Sequence, residues 1–189
     1  MKHKAAITLV KDKLPEKRYK HSKRVAETAI EMAKIYGGDA NKCFLAGILH
    51  DFSKYDELGE MYQYVTNYKL DPELLSFKAE VLHGPVAAVK MREEHGILDE
   101  EIYQAIMNHT TGRSHMSLNE KIIYVADYIE PKRSQPGVDQ IRDIVFEEKN
   151  LDLAIYEITK ANVLHLVSKD RAVYHRTVEC LNYYNMVKE

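Results

Sequence analysis

Apolar residues recur along this chain at spacings of three and four, the period of a helix with one buried face. No convincing run of strict alternation marks a strand. A first helix is predicted over about His3 to Lys13. Pro15 suits the first turn of a second, which Gly37 and Gly38 stop. Asp39 is the expected N-cap of a third helix, from about Ala40 to His50. A Tyr-rich fourth covers about Asp56 to Tyr68, and Asp71-Pro72 opens a short segment. Gly84-Pro85 is expected to open a helix that closes at His95-Gly96. Asp99 caps the next, to about Asn108. "SLNE", Ser117 to Glu120, reads as a capping box for a helix ending near Pro131. Two or three further helices fill Val138 to Val187. There is no internal repeat, low-complexity segment or linker, so the expectation is one all-α bundle over residues 1–189 with short connections.

Several polar residues interrupt this pattern. Cys43 to Leu49 are apolar all round the third helix, which marks it as central. His50 and Asp51 continue it at its C-terminal end. The helix dipole is negative there, so a buried carboxylate needs positive charge nearby. His21 stands four residues before Val25 and extends the stripe of Val25, Ala29 and Met32. His109 lies at i+7 of the stripe begun by Ile102, Ala105 and Ile106. Asp127 shares a face with Ile123 and Ala126, and His83 is expected just before a helix start. Singly, each reads as a hydrogen-bonded core histidine, a cap or an ion-pair partner. Together they bring imidazole and carboxylate toward the core from three or four helices. Two histidines and two aspartates form a mixed nitrogen–oxygen set that suits Fe, Mn, Co, Ni or Zn.

Composition narrows the remaining classes. A chain of 189 residues suits one domain with a proper core, and a net charge of -2 provides no overall basic field for non-specific nucleic-acid binding. No segment approaches the roughly 18 uninterrupted apolar residues of a membrane span. The apolar run Ala5 to Val10 is too short for a secretion signal. Cys43 and Cys180 are far apart and suggest neither a disulfide framework nor a zinc ribbon. A cytoplasmic protein is expected.

The order His21, then His50-Asp51, then Asp127 is similar to the H…HD…D order of the HD-domain metallohydrolases. "RYKHSKRVAETA", "AGILHDFSKY", "LHGPVAA", "AIMNHTTGRSHMS" and "IIYVADYIEPKRSQPGVDQIRD" together resemble the YqeK-type HD family of symmetrical bis(5'-nucleosyl)-tetraphosphatases. The resemblance covers roughly Pro15 to the C-terminus. It implies an all-helical HD domain with a metal-site core over about 15–135 and C-terminal helices over 138–187 completing a nucleotide site. The implied activity is hydrolysis of diadenosine tetraphosphate and related dinucleotides to two ADP by a metal-activated water. The implied cofactor is iron, as one or two ions, with Mn, Co, Ni or Zn as substitutes.

The resemblance carries the metal ligands onto His21, His50, Asp51 and Asp127. It places His83 and His109 near the phosphates, or at a second ion that Asp51 bridges. Asp51, His83 and His109 are then the expected catalytic groups. Arg24 and Arg133 fall at the nucleotide, as does the stretch Asp170, Arg171, Ala172, Val173, Tyr174 and His175. His21, Asp51, His83, His109 and Asp127 are expected to face the substrate too. Lys54, four residues after His50, is a further charge clamp, and Thr110 and Gly112 offer a hydroxyl and an open backbone. Lys17, Arg18 and Lys23 read as a solvated helix face. No G-x-x-x-x-G-K-[ST] or G-x-G-x-x-G is present, so metal and basic side chains must meet the phosphates. The expected partner is a small dinucleotide, with no membrane, no specific nucleic acid, and a homodimer as the candidate assembly. Two other readings remain open. One is an HD phosphohydrolase acting on mono-, tri- or cyclic nucleotides. The other is an RNA-associated module using "PEKRYKHSKR", which fits poorly because aromatics are sparse within it.

Overall fold

The computed structural model describes all 189 residues, and every regular element is helical. In order these are α1 (His3–Lys13), α2 (Glu16–Tyr36), α3 (Ala40–Leu49), α4 (Leu58–Asn67), a 3₁₀ turn (Pro72–Ser76), α5 (Ala79–Glu93), α6 (Glu100–Asn108) and α7 (Leu118–Ile129). Then come α8 (Val138–Asp143), which runs into a π turn (Ile144–Glu148), α9 (Leu151–Val167) and α10 (His175–Val187). No helix is long and apolar enough to cross a membrane.

Local chemistry sets most boundaries. Asp39 accepts from the N–H groups of Asn41 and Lys42, and Asp99 accepts from those of Glu101 and Ile102. These satisfy first-turn donors that have no partner inside their helix. Ser117 and Glu120 form the expected reciprocal capping box on α7. Gly37 ends α2 in the left-handed conformation, φ 79°. Pro15 is the N-cap of α2 rather than a residue of its first turn.

The centre of the bundle is α3, wrapped by α2, α6 and α7. It lies close to α2 because Gly47 faces Ala26. A Cβ on Gly47 would come within 2.8 Å of the Ala26 Cα, so any other residue would push the two helices apart. That close approach brings the side chains at the end of α3 against His21. A contiguous cluster of 38 buried apolar residues surrounds α3. A second, of six residues, lies under α4 and the 3₁₀ turn and includes Tyr174.

One element differs from the sequence expectation. Helix α5 does not open at Gly84-Pro85; it begins at Ala79 and runs through both residues. Pro85 removes one N–H from the helix ladder, but every residue from Leu82 to Met91 is buried, and packing outweighs that local loss. Gly84 marks an interhelical contact instead. A Cβ there would stand 3.1 Å from the carbonyl oxygens of Ile106 and Met107. His83 is therefore an interior residue of α5, not one that precedes a helix, and it faces the C-terminal end of α6.

Candidate metal centre

Five helices deliver the polar residues to one place. His21 comes from α2, His50 and Asp51 from the end of α3, His83 from α5, His109 from the end of α6, and Asp127 from α7. Five of the six are buried, and Asp127 is partly open, its side chain 22% exposed. Each histidine is oriented through Nδ1, and each Nε2 points inward.

In the first corner, His50 Nδ1 donates to the Gly47 carbonyl at 2.7 Å, and His21 Nδ1 is 3.1 Å from Glu130 Oε1. The two Nε2 atoms face carboxylates. His21 Nε2 is 3.0 Å from Asp127 Oδ1 and 3.6 Å from Asp51 Oδ2. His50 Nε2 is 3.1 Å from Asp51 Oδ2 and 3.8 Å from Asp127 Oδ1. Donors bonded to one ion at roughly 2.1 Å stand about 3 to 4 Å apart, the spacing found here. Both Nε2 atoms are buried without a hydrogen-bond partner. Unpaired buried acceptors are costly, and a cation resolves the cost. These four side chains therefore fit a divalent or trivalent metal ion.

Electrostatics agree. Burial alone would raise the Asp51 and Asp127 carboxyls, yet neighbouring imidazoles hold both well below the usual carboxylate range, with Arg133 adding to the effect on Asp127. Burial opposes charge on His50, but Asp51 and Asp127 carry its imidazole above its ordinary value.

In the second corner, His83 Nδ1 is 2.8 Å from the Ala79 carbonyl and His109 Nδ1 is 2.8 Å from that of Ile106. Their Nε2 atoms stand 3.0 Å apart, and His83 Nε2 is 3.1 Å from Asp51 Oδ1. Asp51 thus presents one oxygen to each corner. Here there are protein donors: Thr110 Oγ1 is 3.0 Å from His109 Nε2, and Lys54 Nζ is 3.2 Å from His83 Nε2. Burial lowers both imidazoles below their ordinary value. For His109 the neighbouring His50 and His83 deepen the shift.

The remaining sequence-derived candidates divide. Arg133 donates from Nε to the Asp127 carbonyl at 2.9 Å and from its terminal nitrogen to Asp127 Oδ1 at 2.7 Å. Arg24 forms a fork on Glu130, at 2.5 and 3.1 Å. A cavity of about 320 Å³ opens beside the cluster, lined by His109, Thr110, Asp127, Arg133, Tyr124 and Tyr128 among others. The stretch Asp170 to His175 makes no hydrogen bond to the cluster. Asp170 takes a left-handed turn (φ 51°) after α9, and Val173 follows in the same connection. Tyr174 donates to Asp71 at 2.7 Å, and His175 Nδ1 pairs with Glu73 at 2.6 Å. Arg171 and Ala172 border a separate cavity of about 280 Å³ with Phe77, Val81 and Leu166.

Three further residues belong to the site. Glu130 takes the Nδ1 side of His21; the Arg24 fork and the Lys132 N–H offset its burial and hold its carboxyl down at about 2. Its signal in the sequence is its spacing, three residues after Asp127. Arg142, on α8, pins the connection after α7 by donating to the carbonyls of Ile129, Glu130 and Arg133. Arg18 does not lie on a merely solvated face: its terminal nitrogen donates to Asp51 Oδ2 at 2.8 Å. It lies three residues before His21, which was the available clue.

The chain is similar to known proteins. The HD domain family model matches residues 18–132. The symmetrical bis(5'-nucleosyl)-tetraphosphatase of Staphylococcus aureus is 58% identical, covering 97% of this chain and 95% of that one. That of Bacillus subtilis is 40% identical over 97% of both. The crystal structure of an HD superfamily hydrolase from Clostridium acetobutylicum, described as involved in NAD metabolism, superposes with a TM-score of 0.93. It is 36% identical and covers 100% of this chain and 99% of that one.

Proposed function

The chain belongs to the HD-domain family and, within it, to the symmetrical bis(5'-nucleosyl)-tetraphosphatases, and on that premise we propose how its residues divide the work. The protein is a hydrolase that cleaves diadenosine tetraphosphate symmetrically to two ADP. It binds metal, and His21, His50, Asp51 and Asp127 hold the ion. The observation that carries this is the pair of buried, partnerless Nε2 atoms facing two carboxylate oxygens. Iron is the proposed metal, and Mn, Co, Ni or Zn suit the same donors. When bound, the ion supplies positive charge against phosphate oxygens and brings the pKa of a coordinated water toward neutrality.

The chain's own groups do the rest. Asp51 orients the attacking water from its position between the corners. Thr110 and Lys54 donate to the phosphoryl group being transferred. His83 and His109 do so as well, because an arriving phosphate favours a proton on their paired Nε2 atoms. Arg133 completes the wall beside Asp127, and the cavity with Tyr124 and Tyr128 receives a nucleoside. Arg24 acts through Glu130 on His21. ADP is a good leaving group, so departure needs little protonation. Asp170 to His175 border the nucleotide from the α9–α10 connection. Cytoplasmic residence belongs to the same proposal, supported by two buried free thiols.

A second reading places a second ion between His83, His109 and Asp51, supported by the Nε2–Nε2 separation of 3.0 Å. The overall test is to incubate the iron-loaded protein with diadenosine tetraphosphate and identify products. ADP alone is expected; ATP plus AMP overturns symmetrical cleavage.

A further inference from the structure

The buried carboxylate of Glu120 has more partners than its helix needs. In a capping box it accepts only from the N–H of the cap residue, here Ser117 at 2.8 Å. Yet Glu120 is 2% exposed, and further donors reach it. Arg113 forms a fork, Nε to Oε1 and a terminal nitrogen to Oε2, each at 2.7 Å. Asn108 Nδ2 donates to Oε1 at 3.0 Å. A carboxylate taken from water needs such donors. Which donors it takes decides what it holds.

Asn108 and Arg113 bracket His109, Thr110, Thr111 and Gly112. One oxygen, Oε1, therefore ties both ends of the segment that carries the His109 imidazole and the Thr110 hydroxyl. The backbone closes the same turn, the Gly112 N–H donating to the Asn108 carbonyl at 2.8 Å. Gly112 is left-handed, φ 64°, and a Cβ there would stand 2.5 Å from Cys180 Sγ, so α10 backs the segment from behind. Between these fixed points Thr110 Oγ1 lies 3.0 Å from His109 Nε2, and that nitrogen lies 3.0 Å from His83 Nε2.

We propose that Glu120 is a positioning residue for the reaction. With Arg113 it cinches the connection between α6 and α7, and so sets His109 and Thr110 against the phosphoryl group being transferred. It touches no substrate itself, and its role rests on the reading of His109 and Thr110 as donors to that group. A bidentate guanidinium fixes direction as well as distance, which an ammonium does not. Asp127 follows Glu120 by two turns of α7, about 10 Å along the axis, so the cinch acts on the second corner and not on the first.

The test uses the full, iron-loaded chain, assayed well below its melting temperature. In Glu120→Gln, kcat for diadenosine tetraphosphate should fall roughly tenfold or more, as displacement of aligned groups does, with KM and iron content near those of the wild type. Arg113→Gln leaves Glu120 its other donors and should show the same split more weakly, and Arg113→Lys should recover part of the loss. Thr110→Val should cost less kcat in the Glu120→Gln chain than in the wild type, because a displaced hydroxyl has less to lose. Ser117→Ala removes the hydroxyl side of the cap and leaves the cinch, so it should lower the melting temperature with kcat unchanged. Lower melting temperatures for Glu120→Gln and Arg113→Gln with wild-type kcat would overturn the proposal and make the pair a structural clamp alone. So would additive effects of Glu120→Gln and Thr110→Val, or loss of iron from Arg113→Gln. A wild-type kcat untouched by Thr110→Val would instead defeat the donor reading on which the proposal stands.

Discussion

The two corners of the cluster share a carboxylate and differ in what faces their histidines. In the first, His21 Nε2 and His50 Nε2 meet only Asp51 and Asp127 oxygens and have no proton donor. In the second, His83 Nε2 and His109 Nε2 meet the Thr110 hydroxyl and the Lys54 ammonium. Acceptors without donors are satisfied by a cation. Acceptors beside fixed donors are suited to an incoming anion with its proton. Burial of histidines therefore does not separate the two corners; the presence or absence of a proton source at each inward nitrogen does.

The largest test removes what the corners share. Asp51→Asn should lower turnover by about a thousandfold or more and leave the chain without iron, read by elemental analysis beside ADP release. A variant with full iron would break the ligand assignment. Removing one side comes next. His109→Ala should lower turnover by roughly a hundredfold while iron stays at one per chain. A fall from two ions to one would make the second corner a metal site like the first.

A smaller effect should follow from the group behind the first corner. Glu130→Gln should weaken iron binding about ten- to a hundredfold, as loss of a partner behind a ligating histidine does, measured by competition with a chelator. Arg24→Ala should act in the same direction and less strongly, because Glu130 keeps the Lys132 N–H. Iron affinity untouched by either change would separate Glu130 from the metal.

The smallest effect is protonic and belongs to the metal-free chain. Burial opposes charge on His50, His83 and His109. In the first corner the carboxylates outweigh it and raise His50; in the second it prevails and lowers His83 and His109. A raised imidazole contributes stability in full below its ordinary value and loses it as pH rises through the folded value. A lowered one contributes in full above the ordinary value of 6.5 and loses it as pH falls from there toward the folded value. On acidification below pH 6.5 the melting temperature of His109→Gln should fall less than that of the wild type, and on acidification toward 6.5 from above His50→Gln should lack the gain that the wild type shows. Equal slopes for the two variants would erase the contrast.

Some of this was legible before any coordinates. Asp39, Asp99 and Ser117 announced their helices because capping acts over two or three residues. His21, His50 and Asp127 stood out because each breaks an apolar stripe. Gly84-Pro85 misled for the same local reason: it is a breaker signal, and only the packing of α5 against α6 overrides it. Glu130 and Arg18 were harder, since charged residues near helix ends and on basic faces are ordinarily solvated. Their partners lie far away in sequence, Glu130 pairing with His21 across 109 positions and Arg18 with Asp51 across 33.

By itself, then, the sequence determined an all-helical chain whose helices bring imidazoles and carboxylates inward. Periodicity and capping involve neighbours three or four residues apart, and those neighbours are written in order. Only the tertiary structure decided which nitrogen faces a carboxylate, which faces a hydroxyl or an ammonium, and which oxygen of Asp51 serves each side. Those pairings depend on how closely α2, α3, α5, α6 and α7 approach, and Gly47 and Gly84 set that approach where backbone meets backbone.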